Sequence, residues 1–297
     1  MLGRNLIRSF SRTNYTLLVP ARGDMDCLDA DSAKRYITDN QPDLVINCAG
    51  LVGGISANIA SPYEFFKDNM QIGINVIDAC VDGGVDELIN ISSINVYPDS
   101  VGEAGCLESD ILAGKLHEAT EGYGLAKGCT AKFADYASRQ FDVAYRSIIL
   151  SNLYGRFDSF SDNKAHMIPA IIRRLHEAAV SDLKSVEIWG DGLARRGFLF
   201  AEDVADFIVG CSEDVRALPQ NLNIVPNKDY SVYEYNKIAA RVVKYSGDFY
   251  FNKSMPVGSK QKLVNGELAL SLGWAEATSI EDGILKTYKY FLETLDT

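Results

Sequence analysis

Short apolar runs alternate with segments of helical periodicity along most of the chain. The runs are YTLLV from Tyr15, DLVINCAG from Asp43, ELINIS from Glu87, VAYRSIIL from Val143, VEIW from Val186 and LNIV from Leu222. Helices are predicted between them, over residues 31–40, 62–83, 122–140 and 164–178. Because alternating strands and helices are typical of a parallel sheet covered on both faces, the pattern predicts an α/β, Rossmann-type, doubly wound fold.

The alternation becomes irregular after about residue 155, which indicates a second, smaller lobe. We expect a dinucleotide-binding domain over residues 1–155, with returning segments at about 198–225. A smaller C-terminal substrate lobe is expected over residues 156–197 and 226–297. Two amphipathic segments, SVYEYNKIAARVV and SIEDGILKTYKYFLETL, predict its closing helices.

The N-terminus is unusual for such a fold. MLGRNLIRSF is typical of a glycine-rich turn entering a helix, yet no strand precedes it. A dinucleotide fold uses that turn to direct backbone N–H groups at the pyrophosphate. We therefore predict that the first strand and most of the glycine-rich turn, of which Gly3 would remain, are missing. Either the chain is truncated or the phosphate site is built differently.

The net charge and the cysteine spacing exclude several classes of function. The 297 residues carry 29 Lys and Arg against 40 Asp and Glu, a net charge of −11, which disfavours nucleic-acid binding. An anionic ligand therefore needs a local cluster of Arg or Lys. The six scattered cysteines lack metal-ligand spacing, so reduced thiols and no metal site are expected. Without a signal peptide or a long apolar run, a cytoplasmic protein with no membrane partner is predicted.

Three residues form the candidate catalytic group. Tyr123 and Lys127 in YGLAK lie one turn apart on a predicted helix, so the ammonium is expected to lower the pKa of the phenol and prepare it for proton transfer. Ser93 ends the strand ELINIS, at the sheet edge where open α/β folds bind ligands. Its hydroxyl is expected to contact the same carbonyl oxygen as Tyr123.

The sequence resembles the extended short-chain dehydrogenase/reductases, and within them the GDP-L-fucose synthase branch. The resemblance rests on NCAG (47–50), LVGGISAN (51–58), DNMQIGINVIDAC (68–80), SNLYG (151–155), HMIPAIIRRLHEA (166–178), WGDGLARRGFL (189–199) and LGW (272–274). These segments span nearly the whole chain in order. They imply a Rossmann domain with a sugar-nucleotide lobe.

The resemblance implies a role for each matching residue. Tyr123 would be the acid at the C4 oxygen of a GDP-linked 4-keto-6-deoxy sugar, Ser93 its hydrogen-bond partner and Lys127 a ligand of the nicotinamide ribose. The cofactor would be NADP(H), with NAD as an alternative, and the implied cofactor-binding residues are Gly3, Arg22, Ala49, Gly50, Ile91, Ser92, Ser93, Tyr123, Lys127, Leu150, Ser151, Asn152, Leu153 and His166. The implied substrate-binding residues are Asn152, Arg174, Trp189, Arg196 and Lys262, with His166 near the sugar.

Several assignments keep an alternative. Arg22 could meet the 2′-phosphate of NADP or be a solvated loop charge. His166 and Trp189 could be packing residues. Arg174 could pair with Glu177, and Arg195 rather than Arg196 could contact phosphate.

Asn95 departs from the family pattern. Relatives that epimerise C3 and C5 use a cysteine at this catalytic position together with the histidine equivalent to His166. A carboxamide cannot accept a proton near neutral pH, so weak or absent epimerisation is expected.

The competing functions are an NAD-dependent nucleotide-sugar 4-epimerase and a non-catalytic sugar-nucleotide-binding relic. A homodimer is expected to form through helices 62–83 and 122–140.

Overall fold

A computed structural model describes residues 1–99, 104–161, 165–255 and 258–295. The helices are α1 (Leu2–Phe10), α2 (Ala30–Asn40), α3 (Ile55–Ala60), α4 (Pro62–Gly83), α5 (Glu121–Phe141), α6 (Met167–Val180), α7 (Ala201–Cys211), α8 (Val232–Val243), α9 (Glu267–Ser271) and α10 (Ile280–Leu295). The strands are β1 (Leu44–Asn47), β2 (Glu87–Ser93), β3 (Ala144–Leu150), β4 (Asn152–Tyr154), β5 (Ser185–Trp189), β6 (Arg195–Arg196), β7 (Phe198–Phe200), β8 (Asn221–Ile224), β9 (Tyr230–Ser231) and β10 (Asp248–Asn252).

The central sheet is parallel and has the order β1-β2-β3-β8. Helices α1 and α7 pack on one face, where Leu2 and Leu6 meet Val204. Helices α2, α4 and α5 cover the other face, around Ile37 and Ile77. Because both faces are buried, the strands are apolar almost without interruption, as in other parallel sheets. The doubly wound Rossmann-type prediction is confirmed.

The predicted strand YTLLV is wrong. Residues 15–20 form no strand, and Leu18 and Val19 expose 45% and 56% of their surface. In the sheet, β1 pairs with β2, and residues 15–20 do not pair with its other edge. Backbone groups without a ladder partner stay in water, and the side chains remain exposed with them.

The predicted strand VEIW forms, but outside the central sheet. It is β5, which pairs in parallel with β10 of the C-terminal lobe. Around it, α6, α8 and α10 share a second core that includes Ile171, Tyr235 and Ile284. The edge of the central sheet after β3 is taken by β8 instead, which returns from the end of the 198–225 segment.

Most helix boundaries follow the sequence signals. Helix α4 covers the predicted residues 62–83, with Pro62 in its first turn and a left-handed Gly84 (φ 71°) after its end. Helix α6 begins at Met167, with His166 as its N-cap residue, instead of residue 164. Lys164 itself lies outside the described residues.

Close contacts of α5 depend on glycine. A Cβ atom on Gly73 of α4 would lie 2.0 Å from the Thr130 methyl group of α5. One on Gly124 of α5 would lie 2.3 Å from the Asn95 carbonyl oxygen. Both distances are well below van der Waals contact, so a side chain there would push α5 away. These two positions bring α5 against α4 and against the end of β2.

In the described parts of the chain, the structure has no helix of the length and apolarity that crossing a bilayer would require. All six cysteines are free thiols.

Candidate active site

The end of β2 and the first turns of α5 bring Ser93 and Tyr123 together. Ser93 is the last residue of β2 and caps the short 3₁₀ turn Ile94–Val96, where its Oγ accepts from the Asn95 backbone N–H (3.3 Å). Gly124 lets α5 approach the Asn95 carbonyl, which carries the neighbouring Tyr123 to the strand end. Ser93 is close enough to the Tyr123 hydroxyl to lower its pKa, against the larger effect of burial.

Tyr123 is held as a neutral phenol. Burial raises its pKa to about 12, and the neighbouring Ser93 hydroxyl acts in the opposite direction. The ring of Phe65 packs edge-on against it, with ring centroids 6.3 Å apart. The expectation that Lys127 lowers this pKa is wrong for the chain alone, because the low-polarity surroundings dominate. A protonated phenol at neutral pH is suited to donating a proton.

Lys127 is almost completely buried, with 7% of its surface exposed. Its Nζ donates to the Ile91 carbonyl of β2 (3.1 Å), and burial lowers its pKa to about 8. A Cβ on Gly50 would lie 3.4 Å from this Nζ and 2.8 Å from Asn69 Oδ1. An ammonium has three donors and Nζ has one described acceptor, so Lys127 has capacity for further oxygen ligands.

Most predicted cofactor residues meet at the C-terminal edge of the central sheet. Ala49 and Gly50 follow β1; Ile91, Ser92 and Ser93 end β2; Leu150 ends β3, with Ser151, Asn152 and Leu153 next in sequence. Ser93 and Leu150 are register partners. The side chains of Ser151 and Asn152 both donate to the Gly197 carbonyl (3.0 Å each). These residues form one ligand-facing edge, as open α/β sheets require.

Gly3 and Arg22, two further predicted cofactor residues, differ in their position relative to that edge. Gly3 is in the first turn of α1, where a Cβ would lie 3.7 Å from Cys48 Cβ, so this helix start borders the end of β1. Arg22 is in an exposed turn and pairs with Asp26 (3.3 Å), with 76% of its side chain exposed.

His166 lies beside the cleft and has a carboxylate behind it. Its Nδ1 is 3.3 Å from Oδ1 of Asp158, which is buried. The Ala165 carbonyl lies 3.6 Å from a Cβ built on Gly54, next to Gly53, which contacts Phe65. Phe65 in turn packs edge-on against Tyr123, so successive contacts run from the residue before His166 towards Tyr123.

Asn95 is engaged with the candidate catalytic group. Its side-chain amide donates to Ser93 Oγ (3.3 Å). The position therefore supports the serine and offers no titratable group to a substrate.

The region around Arg174 and Trp189 is organised by Glu187. Arg174 donates to the Glu187 carbonyl (3.2 Å), while Trp189 Nε1 and the Asn252 amide donate to its carboxylate (3.0 and 2.6 Å). The salt bridge to Glu177 is made by Arg173 (3.9 Å), so the alternative pairing for Arg174 is wrong. Trp189 is only partly buried.

Arg195 and Arg196 have different surroundings. Arg195 binds Asp229 (2.8 Å) and Glu234 (3.5 Å), which satisfies its charge. Arg196 donates to the Arg195 carbonyl (2.7 Å) and has no carboxylate within 4.0 Å among the described residues. Burial lowers its pKa. The geometry favours Arg196 as the arginine available to phosphate.

Lys262 is near Arg196. Its Nζ donates to the Tyr97 carbonyl (3.0 Å), and burial, together with the charge of Arg196, lowers its pKa. Asp99, which hydrogen-bonds Ser259, opposes that effect. Two cations around one carboxylate give this end of the cleft the local positive charge that an acidic protein needs for an anionic ligand.

Some residues of the site were missed by the sequence analysis. Asp158 and Glu187 orient predicted residues, Asn69 supports the loop after β1 through Leu51 (3.0 Å), and Gly124 sets a backbone distance. None of them belongs to a sequence motif that predicts its contact. No group of side chains suited to a metal ion is found within the described ranges.

Comparison with known proteins supports the geometry. Residues 1–225 match the NAD dependent epimerase/dehydratase family. The chain is 39% identical to a GDP-L-colitose synthase from Yersinia pseudotuberculosis, over 98% of this chain and 95% of that protein. It is also 39% identical to a GDP-L-fucose synthase from Azorhizobium caulinodans, over 98% and 93%.

A solved structure shares the whole architecture. The GDP-mannoheptose C4 reductase from Campylobacter jejuni with NADP bound superposes with a TM-score of 0.88 and 25% identity, covering 98% of this chain and 95% of that one. The family match, the relatives and the residues at the sheet edge agree. The chain therefore belongs to the NAD dependent epimerase/dehydratase family and is an enzyme of the GDP-L-fucose synthase type.

Proposed function

We propose that the protein reduces the C4 ketone of a GDP-linked 4-keto-6-deoxy sugar with NADPH. The observation that carries this proposal is the cluster of Ser93, neutral Tyr123 and buried Lys127 at the C-terminal edge of the sheet. The relatives and the solved neighbour, named as GDP-sugar synthases and a C4 reductase, support the substrate class and the carbon. NADP in the neighbour supports the cofactor.

The residues near the nicotinamide position fit a dinucleotide. Lys127 has unused donors, and the absence of a side chain at Gly50 keeps the backbone close to Lys127 and Asn69. The first turn of α1 has backbone N–H groups without helical acceptors, which suit a diphosphate. Lys127 and Tyr123 would hold the nicotinamide ribose, and Gly3 would meet the phosphates. When bound, the cofactor supplies a hydride.

Proton delivery follows from the environment of the phenol. Tyr123 is a neutral donor at physiological pH, and Ser93 Oγ accepts from the Asn95 amide. A ketone oxygen between Ser93 and Tyr123 would accept two hydrogen bonds and, as negative charge develops, the Tyr123 proton.

The GDP end of the substrate would lie against the Arg196–Lys262 pair. Both cations keep donors that the described acceptors do not use, and guanidinium binds phosphate oxygens in a planar fork. Trp189, which is partly exposed, would stack on a ring.

Epimerisation at C3 and C5 would be weak or absent. Inversion requires a proton acceptor on one face of the carbon and a donor on the other. At the position of the family cysteine, Asn95 donates its amide to Ser93 and cannot exchange a proton near neutral pH. The expected product keeps the configuration of the substrate at both carbons.

The test is NADPH oxidation with GDP-4-keto-6-deoxy-mannose, followed by NMR of the product, with Tyr123→Phe as the control. Oxidation that the control loses, with C3 and C5 unchanged, is the expected result. A GDP-fucose product would overturn the proposal about Asn95. No oxidation, together with no NADPH binding, would overturn the reductase and favour a sugar-nucleotide-binding protein; interconversion of C4 epimers without net oxidation would favour a 4-epimerase.

The protein would be cytoplasmic and act as a homodimer through α4 and α5. These helices expose aromatic side chains away from the core, including Tyr63 (69%), Tyr136 (56%) and Phe66 (37%). Burying such side chains against a second copy would give a four-helix bundle. Analytical ultracentrifugation should give twice the chain mass of 32.6 kDa, and Tyr136→Glu should shift it to the monomer.

A further inference from the structure

Asp158 is the most unusual buried carboxylate in the described part of the molecule. It lies just after β4 and is 8% exposed. Its Oδ1 accepts from the Ser159 backbone N–H (2.9 Å) and faces Nδ1 of His166 (3.3 Å). No lysine or arginine forms an ion pair with it in the described ranges, and its Oδ2 has no partner. Burying an ionised carboxylate is costly, so its retention beside a histidine calls for an explanation.

The contact determines which imidazole nitrogen carries a proton. A carboxylate only accepts hydrogen bonds, so the His166 nitrogen that faces Asp158 must be Nδ1–H. In neutral His166 the second nitrogen, Nε2, is then an acceptor. The His166 side chain is 32% exposed, and Nδ1 is the nitrogen that faces Asp158. Nε2 has no hydrogen-bond partner among the described residues.

Building on the proposed function, we propose that Asp158 is a positioning residue that holds His166 as the Nδ1–H tautomer, so that Nε2 accepts a hydrogen bond from a sugar hydroxyl. His166 is the N-cap of α6 and makes no side-chain capping bond, which leaves its ring free for this role. Asn95 stands where relatives have the catalytic cysteine. His166 is therefore the titratable group that remains of the cysteine–histidine pair. Asp158 acts through His166 and does not itself touch the substrate.

The first test is the tautomer of His166, measured by long-range ¹H–¹⁵N NMR on the full chain without substrate. The protein has three histidines, and His166→Gln assigns the relevant signal. At a pH where the ring is neutral, we expect protonated Nδ1 and unprotonated Nε2. In Asp158→Asn, where the new amide can donate, we expect the proton to move to Nε2. An Nε2–H tautomer in the wild type, or no change in the variant, would overturn the proposal.

The second test is kinetic. We expect Asp158→Asn to lower kcat by roughly 10- to 100-fold, as loss of an orienting carboxylate does elsewhere, with KM changed much less. Combined with His166→Gln, it should add almost nothing to the loss from His166→Gln alone. Additive losses would indicate a structural role for Asp158 and contradict the inference. Asp82→Asn, which removes an exposed partner of Lys34 far from the cleft, is the control.

The NMR test and the kinetic test distinguish failure of the Asp158–His166 inference from failure of the proposed function. The NMR arm needs no turnover, so it tests the Asp158–His166 contact even if the substrate assignment fails. A wild-type enzyme that turns over but has the wrong tautomer would overturn the inference and leave the proposed function standing. Thermal unfolding of Asp158→Asn, compared with Asp82→Asn, identifies loss of folding as the cause of any inactivity.

Discussion

The catalytic end of the cleft, formed by residues 91–95 and 123–127, differs sharply from the segment of residues 11–29. At the catalytic end, Lys127 is 7% exposed and bonded to a strand carbonyl. In residues 11–29 there is neither helix nor strand, and Leu17, Leu18 and Val19 are exposed. Both regions are rich in apolar residues. The difference teaches that ordered structure here depends on a ladder partner, which β2 has on both sides and residues 15–20 lack.

Tyr123→Phe tests the catalytic end with the largest expected effect. Removing the phenolic proton should lower kcat by roughly 10²- to 10⁴-fold, because general acid catalysis contributes on that scale. NADPH affinity, measured by fluorescence titration, should change little. If the variant retained more than about a tenth of wild-type kcat, the proton would come from elsewhere and the catalytic end would not be the reacting centre.

Lys127→Met separates function from stability in the same region. The folded-state pKa of Lys127, about 8, is below its ordinary value of 10.5, so burial of the ammonium destabilises the fold by about 3 kcal/mol at neutral pH. Stability should therefore rise as pH increases from about 8 to 10.5, where only the unfolded chain still binds that proton. The methionine variant should have a higher Tm and lose this rise, while its NADPH affinity falls. An unchanged pH dependence of Tm would contradict the burial argument.

Arg22→Ala tests whether the segment of residues 11–29 contributes to cofactor choice. If Arg22 meets the 2′-phosphate, KM for NADPH should rise at most about fivefold, since an exposed ion pair contributes no more than about 1 kcal/mol. KM for NADH should stay the same. An equal change for both cofactors, or none, would assign Arg22 to its exposed pair with Asp26.

Leu18→Ser should have the smallest effect. Leu18 exposes 45% of its surface, so the free energy of unfolding should change by less than about 0.5 kcal/mol in urea titrations. The matched comparison is Leu6→Ala in α1, whose side chain is 5% exposed and should cost about 2 to 5 kcal/mol. A large loss from Leu18→Ser would show that residues 15–20 are buried in solution, against the contrast drawn here.

The sequence predicted elements whose signals are local. The bounds of α4 follow from Pro62 and the glycines at its end, and α5 follows from its helical periodicity. The strand predicted for YTLLV is wrong because an apolar run rich in β-forming residues indicates a preference for extended structure. It does not show whether a neighbouring strand exists. The lowered pKa expected for Tyr123 failed for a related reason, since burial is not visible in a one-turn spacing.

The sequence predicts the candidate site where a residue is marked by the end of a strand or by a spacing along one helix. Ser93, Tyr123 and Lys127 were identified from a strand end and a helix spacing. Asp158 and Glu187 were not, because each orients a side chain through a contact that only the folded chain creates. The choice of Arg196 over Arg195 also needed the structure, which shows that Asp229 engages Arg195.

The contact between Gly124 and the Asn95 carbonyl has a consequence for how this enzyme tolerates mutation. A side chain at position 124 would meet a backbone atom that cannot rotate away. The cheapest relief is a shift of α5, and a shift of about 1 Å in a reacting group can cost on the order of a hundredfold in rate. In a library carrying every substitution, position 124 should be nearly as intolerant as position 123, although glycine brings no functional group to the reaction.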